Sequence, residues 1–323
     1  MAARLSLDDV EAAAERIRPH LAPTPLRPSL ARTDPDTDLR LKLECWQPTG
    51  SFKVRGALSL MSALDDAARR RGIVTASAGN HALGVAHAAQ CLGGDLRATV
   101  FVPTSVPGAK LEKLRRFPVE VRQAGDLYDD TVAFAEAFEK ETGATQVHAF
   151  EDPRVAAGQG TAALEIVSEC PDVGTLLVPV GGGGLIVGVA AAAKALVPNV
   201  RIVAVQPEAS PALRESLKLG RPLLTYPAEP TLADGVAGGI GSIVFDHRDL
   251  VDEVVTVTEE EIEDAIVALV SADQVVAEGS GALGVAAVRS GKVRAPKARP
   301  VVALVTGGNI DFHNLSRLCA AHG

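Results

Sequence analysis

Lys53 is the residue of this 323-residue chain whose surroundings most clearly suggest covalent chemistry. It lies in Thr49-Gly50-Ser51-Phe52-Lys53-Val54-Arg55-Gly56-Ala57, where Ser51 reads as a helix N-cap and puts Lys53 in the first turn. The helix dipole disfavours an ammonium charge there. Such a lysine adds little to the helix, yet it suits a lowered pKa and Schiff-base formation with an aldehyde. Phe52 sets a ring beside it. Most single lysines are solvated surface groups, so the reading depends on what else the chain carries.

Three glycine-marked loops are the rest of the chemistry. Gly181-Gly182-Gly183-Gly184 stands between the apolar run 175–180 and the helical stretch LIVGVAAAAKAL. A tight turn needs one or two glycines, whereas four let backbone N–H groups converge on an anion at a helix N-terminus. A phosphate is the natural guest. Ser77-Ala78-Gly79-Asn80-His81 offers side-chain and backbone donors suited to a carboxylate, although a capped turn with no ligand would look the same. His81 at a helix start reads as a structural donor rather than a base. Thr306-Gly307-Gly308-Asn309 can bring a hydroxyl against a flat ring.

These loops need strand ends to hold them. Short β-branched runs alternate with helical stretches, and strands are expected at 72–76, 97–103, 119–124, 145–150, 175–180, 201–206 and 301–306. Helices are expected over 6–18, over 126–142 with Leu127, Val132, Ala135 and Phe138 inward, and from the Thr258-x-x-Glu261 capping box through Val270. Strand–helix–strand alternation favours doubly wound parallel sheets. Ligands there sit beyond the carboxyl ends of the strands, where all three glycine loops fall.

Hydrophobic residues make up 47% of the chain and aromatics only 3%, so the core must be aliphatic. A formal charge of −8 and few aromatic platforms argue against nucleic acid. No apolar run is long enough to span a membrane, and no signal-peptide core opens the chain. Cys45, Cys91, Cys170 and Cys319 form no CxxC pair and read as buried thiols. A cytoplasmic protein is expected. The fingerprint G-x-G-x-x-G fails at Ile186 and Val187, no Gly-Lys-Ser/Thr follows, and HExxH and G-x-S-x-G are absent.

The four segments together ask for a ligand with a phosphate, an aldehyde, a flat ring and a ring heteroatom. Pyridoxal 5'-phosphate has all of these. SFKVRGA, SAGNH, GGGGL and TGGN, in this order, resemble the fold-type II pyridoxal-phosphate enzymes, in particular the threonine/serine dehydratase and serine racemase group. The resemblance runs from Pro23-Thr24-Pro25-Leu26 to Asn309. It implies an α/β architecture of two largely parallel doubly wound sheets with the cofactor in the cleft between them. The large domain would comprise 1–49 and 149–323 and the small domain 50–148.

It also implies roles. Lys53 would bind the cofactor and act as the base at Cα, Phe52 would lie against the ring, and Asn80 would meet its 3-hydroxyl. Gly181, Gly182, Gly183 and Gly184 would hold the phosphate, Thr306 the pyridine nitrogen, and Glu278 would stand near the ring. Ser77, Ala78, Gly79 and His81 would receive the substrate carboxylate. No metal is expected, because cation-binding relatives carry a glutamate where Gln206 stands and an aspartate near Ala212.

The implied activity is a lyase reaction that takes L-threonine or L-serine to a 2-oxo acid and ammonia. Alternatives are a bulkier β-substituted substrate (3-hydroxyaspartate, phenylserine or a diamino acid) and serine racemase. Asp234-Gly235 matches a recurring motif, but Gly238-Gly239-Ile240-Gly241 replaces its usual Pro-Gly continuation, which leaves the substrate open. A binding protein without turnover is disfavoured by the intact Lys53, Asn80 and Thr306. A homodimer or homotetramer is expected, without the long C-terminal regulatory domain of biosynthetic relatives.

Overall fold

The structure is a computed structural model and describes residues 4–293 and 299–322. Among the described residues there are ten strands: β1 (Leu26–Pro28), β2 (Leu39–Lys42), β3 (Ile73–Ala76), β4 (Ala98–Val102), β5 (Glu120–Gln123), β6 (Thr145–Gln146), β7 (Thr175–Pro179), β8 (Arg201–Pro207), β9 (Glu253–Val257) and β10 (Val301–Leu304). They build a six-stranded sheet of order β1-β2-β10-β7-β8-β9 and a four-stranded sheet of order β5-β4-β3-β6. Every pairing is parallel except β1 with β2 at one edge. This is the expected pair of doubly wound sheets.

Alternation of side chains explains how one large sheet feeds two cores. Leu176, Val178, Ile202, Ala204, Val302 and Leu304 face one way, onto the helices Pro153–Glu169 and Gly184–Leu196. Leu177, Val203, Val205, Val301 and Ala303 face the other, onto Glu259–Asp273 and Gly279–Arg289. Because both faces are covered, the central strands β10, β7 and β8 read as largely apolar runs. Around the small sheet, Ile73 and Ala98 join Val54, Leu58 and Val85, while Val74 and Phe101 meet Ala135 across the other face. The aliphatic composition is thus spent on Ala, Val, Leu and Ile packing.

Local signals hold at several helix ends. Ser6 caps Leu7–Ile17, and Thr258 and Glu261 cap Glu259–Asp273 reciprocally, a device worth about 1 kcal/mol. Gly143 ends Tyr128–Thr142 with φ +69°. Ala135 is buried and Val132 and Phe138 partly so, but Leu127 is exposed because it sits at the cap and not on the inward face.

Other expectations need correction. Ser51 is not an N-cap: the helix runs Lys53–Ser62 with Phe52 at its cap position, and Ser51 pairs instead with Gly307. The run 145–150 is strand only at Thr145–Gln146, since beyond Val147 the chain turns away from the sheet. Strands β1, β2 and β9 lie outside the runs expected to be strands. In β2 the buried Lys42 masks an otherwise inward pattern.

Candidate active site

The carboxyl ends of β3, β7 and β10 release the SAGNH, GGGG and TGGN loops, as strand geometry requires. Two main-chain bonds zip the lysine segment to TGGN. The Phe52 N–H donates to the Thr306 carbonyl (3.0 Å) and the Gly308 N–H to the Gly50 carbonyl (2.9 Å). Lys53 is therefore the first residue of its helix and two steps from the Ser51–Gly307 bridge. Its Nζ donates to the Ala149 carbonyl at 3.2 Å and lies 5.2 Å from the Phe52 ring centroid. Burial pushes its pKa from 10.5 down to about 8, against the opposing pull of the Glu278 charge. A buried amine with a lowered pKa has the chemistry that Schiff-base formation needs.

Asn80 begins the helix Asn80–Leu92. Its amide is clamped from both sides: Nδ2 donates to Glu278 Oε1 (2.7 Å), and Oδ1 accepts from Asn309 Nδ2 (2.8 Å). Asn309 also donates to the Thr49 carbonyl (2.8 Å), and the Glu278 N–H donates to the Gly307 carbonyl (3.0 Å). Three of the four motifs and AEGSGA thus meet at one point. Burial, then the charge of Asp234, raises the Glu278 pKa from 4.5 to about 7, with Asn80 opposing. Thr306 is buried, and its hydroxyl reaches only the Ser280 carbonyl, at 3.4 Å.

The glycine loop is crowded from behind. A Cβ on Gly182 would overlap the Phe150 ring, one on Gly183 would overlap Val244, and one on Gly181 would stand 2.8 Å from Val236 Cα. Gly183 also has φ +96° and precedes the helix Gly184–Leu196. So the four glycines are required by close packing as well as by any anion in front. In contrast, a Cβ on Gly79 would meet nothing within 4 Å, so the SAGNH loop opens onto free space. Ser77 Oγ accepts from the Gly79 N–H (3.2 Å). Ala78 carries only a methyl group there.

His81 Nε2 donates to the Val147 carbonyl (2.8 Å), and burial with the Lys53 charge pushes its pKa down to about 3. It is a neutral structural donor. Phe52 packs against the same core cluster as Val180 and Leu185.

The residues that the motifs missed are Val147 to Glu151. The Val147 carbonyl receives His81, the Ala149 carbonyl receives Lys53, Phe150 backs Gly182, and Glu151 accepts from the Ser242 N–H (2.6 Å). His148 Nδ1 turns the chain by accepting from the Phe150 (3.3 Å) and Glu151 (3.2 Å) N–H groups. The signal available was a polar His inside an apolar run.

These groups fit pyridoxal phosphate: a low-pKa amine, a glycine cradle at a helix start, a clamped amide, a buried hydroxyl and the buried, unpartnered hydroxyls of Ser51 and Ser280. Residues 17–307 match the family described as pyridoxal-phosphate dependent enzymes. The chain belongs to that family.

Relatives within it are informative. The chain is 45% identical over 283 residues to an L-threonine ammonia-lyase of Thermotoga maritima, covering 87% of this chain and 69% of that one. It is 42% identical over 320 residues to a catabolic L-threonine dehydratase of Staphylococcus aureus, covering 97% and 91%. Among solved structures it resembles maize serine racemase, with TM-score 0.91, 34% identity and coverage of 99% and 98%. Dependence on pyridoxal phosphate follows from membership.

Proposed function

We propose that this enzyme is an ammonia-lyase that eliminates the β-hydroxyl of L-threonine or L-serine, giving a 2-oxo acid and ammonia. Its relatives include proteins named for threonine ammonia-lyase and for serine racemase, so the choice lies between elimination and racemisation. Ala78 carries the decision. It is half-buried against the cluster of Ala82 and Ala86 and has no proton to give or take, whereas racemising members of the resembled group carry a serine at this position as the acid on the face of Cα opposite the lysine.

The bound cofactor supplies an electron sink for the pair freed at Cα. The chain's own part is binding, orientation and proton transfer. Lys53 carries the cofactor and its amine takes the Cα proton, a task helped by a pKa near neutrality. Gly181, Gly182, Gly183 and Gly184 hold the phosphate by N–H groups at a helix start. Asn80, fixed by Glu278 and Asn309, has a second Nδ2 hydrogen for the ring 3-hydroxyl. Thr306 serves the ring nitrogen. Ser77, Gly79 and the backbone at Asn80 and His81 receive the substrate carboxylate.

The two sheets would correspond to the domains 1–49 with 149–323 and 50–148. The protein would act in the cytoplasm as a homodimer or homotetramer, with exposed apolar side chains such as Leu30, Leu224 and Phe312 available for subunit contacts. Among the described residues no helix is long and apolar enough to cross a membrane.

A substrate panel tests the reading. Release of 2-oxo acid would be followed from L-threonine, L-serine, 3-hydroxyaspartate, phenylserine and diaminopropionate, with chiral analysis of unreacted substrate. Threonine or serine should give the highest kcat/KM with little D-isomer. D-serine formed as fast as pyruvate, or a clear preference for a bulkier substrate, would overturn it.

A further inference from the structure

We propose that Arg55 is a positioning residue for the reaction, fixing Lys53 relative to Thr306 through a closed, buried ion network; this rests on the role given to Lys53 above. Arg55 follows Lys53 by two residues on the same helix, and its side chain is 1% exposed. All five of its N–H groups are used. Nε and Nη2 donate to the two oxygens of Glu44 (2.7 and 2.8 Å). Nη1 and Nη2 donate to the two oxygens of Glu165 (2.7 and 2.8 Å), and Nη1 also donates to Thr161 Oγ1 (3.0 Å).

The network closes on itself. Lys42 Nζ donates to Glu165 (2.5 Å) and to the Thr24 carbonyl (2.6 Å). Thr24 Oγ1 (2.5 Å) and Gln47 Nε2 (3.2 Å) donate to Glu44. Two positive and two negative charges balance. Such a set roughly breaks even against an apolar core in stability, while its paired forks dictate orientation.

Its anchors are the two sides of the site. Lys42 ends β2 opposite Leu304 of β10, and its carbonyl accepts from Val305 N–H (2.9 Å), one residue before Thr306. Arg55 holds the helix that starts at Lys53. Glu165 and Thr161 come from Pro153–Glu169, which approaches that helix closely: the Gly56 N–H donates to Gln159 Oε1 (3.2 Å), and a Cβ on Gly56 would come within 2.7 Å of Val155. The network therefore relates the amine, the ring-nitrogen partner and the helix behind them. Misplacing a reacting group by 1 Å can cost about a hundredfold in rate.

The test uses reconstituted holoenzyme. Arg55→Lys keeps the charge and loses the forks, whereas Arg55→Met with Glu44→Gln removes one charge of each sign. Glu165→Gln, at the partly exposed edge, serves if either fails to fold. Four properties would be measured: melting temperature, cofactor dissociation constant, the pH profile of Lys53 acylation in cofactor-free protein, and kcat against KM. The expected result is cofactor binding weaker by about tenfold or more and kcat lower by about a hundredfold. The acylation profile should shift and KM change little. The charge-balanced double variant should regain melting temperature without regaining the rest. Folded variants that bind cofactor and turn over like wild type, or recovery of all properties in step with melting temperature, would reduce the network to a stabilising element. Borohydride reduction of the wild type separates the two claims. Attachment anywhere but Lys53 would sink the functional reading, whereas attachment at Lys53 with silent variants would sink only this inference.

Discussion

The N–H of Phe52 donates to the carbonyl of Thr306 at 3.0 Å, which joins the residue before the lysine to the end of strand β10. The two residues are 254 positions apart in sequence. The partner bond from Gly308 to Gly50 makes the contact a short antiparallel bridge and not a single point. Lys53 and Thr306, the partner proposed for the ring nitrogen, are thus set by one rigid element. A movement of either strand or helix would shift both, so the separation between them survives.

Lys53 is the first test of that arrangement. Lys53→Ala should abolish both turnover and the visible absorption of lysine-bound cofactor. Burial depresses the amine's pKa to about 8, so the neutral form grows in through that pH and not near 10.5. Cofactor capture by cofactor-free protein should accelerate through about pH 8 and then level off. A midpoint at the ordinary lysine value would show that the amine is not buried as described.

Glu278 should make stability depend on pH. Its folded pKa is raised from 4.5 to about 7 by burial and by Asp234, so the folded state holds the proton more tightly. That contribution is fully present below the unfolded pKa of 4.5 and is lost as pH rises through about 7. In cofactor-free protein, Glu278→Gln should gain on wild type by a few degrees of melting temperature between pH 5 and 8. The same difference at both pH values would mean that Glu278 is freely solvated.

Gly182→Ala is expected to damage the proposed phosphate cradle by displacing Phe150, whose ring occupies the space a Cβ would need. Cofactor affinity should fall by about tenfold or more, since overpacking moves the loop backbone that presents the N–H groups. Adding Phe150→Leu should restore part of it. Unchanged affinity in Gly182→Ala, measured by absorbance titration, would show that the loop can give way.

Thr306 should favour elimination because it is neutral. Its hydroxyl is buried and its bond to the Ser280 carbonyl is long at 3.4 Å, so its proton is available to a ring nitrogen. A carboxylate there would hold that nitrogen protonated and lengthen the life of a carbanion. Thr306→Asp should slow 2-oxo acid release from threonine and raise transamination, while Thr306→Ser should be nearly silent. Product ratios unchanged in Thr306→Asp would remove Thr306 from the ring.

Gln206 predicts that a chelator leaves activity intact. It is fully buried; its Oε1 accepts from the Leu213 (3.1 Å) and Arg214 (3.2 Å) N–H groups, and its Nε2 donates to the Val180 carbonyl (3.1 Å). The amide is consumed in capping the helix Ala212–Leu219 and offers a cation no free oxygen. Loss of activity on chelation, restored by Mg²⁺, would contradict this.

The chain by itself determined the parts. Apolar runs covered on both faces marked β3, β4, β7, β8 and β10, Ser6 and Thr258 with Glu261 marked helix starts, and glycines after β3, β7 and β10 marked the loops expected to meet a ligand. These are local properties, set by backbone sterics and side-chain alternation within a few residues, so a sequence carries them openly. The segments that carry Lys53, Asn80, Thr306 and Gly181 to Gly184 were legible for the same reason, whereas the roles proposed for these residues come from the resemblance.

The tertiary structure decided how the parts meet. Ser51 satisfies every local rule for a cap, yet pairing with Gly307 prevails, because a contact across 256 positions fixes the segment before any cap can. The run 145–150 has strand composition, and the Val147 N–H still donates to the Val74 carbonyl of β3, but from the Val147 carbonyl onward the backbone meets side chains instead of a strand: His81 and Thr75 at Val147, Lys53 at Ala149 and His148 at Phe150. Lys42, Glu44, Arg55 and Glu165 look like surface charges in sequence and are mostly buried, because opposite charges from strand β2, the turn Glu44–Trp46 and two helices neutralise one another where those elements dock. None of these outcomes has a local cause. Each depends on which distant surfaces come into contact, and that is settled only when the two sheets and their helices are packed together.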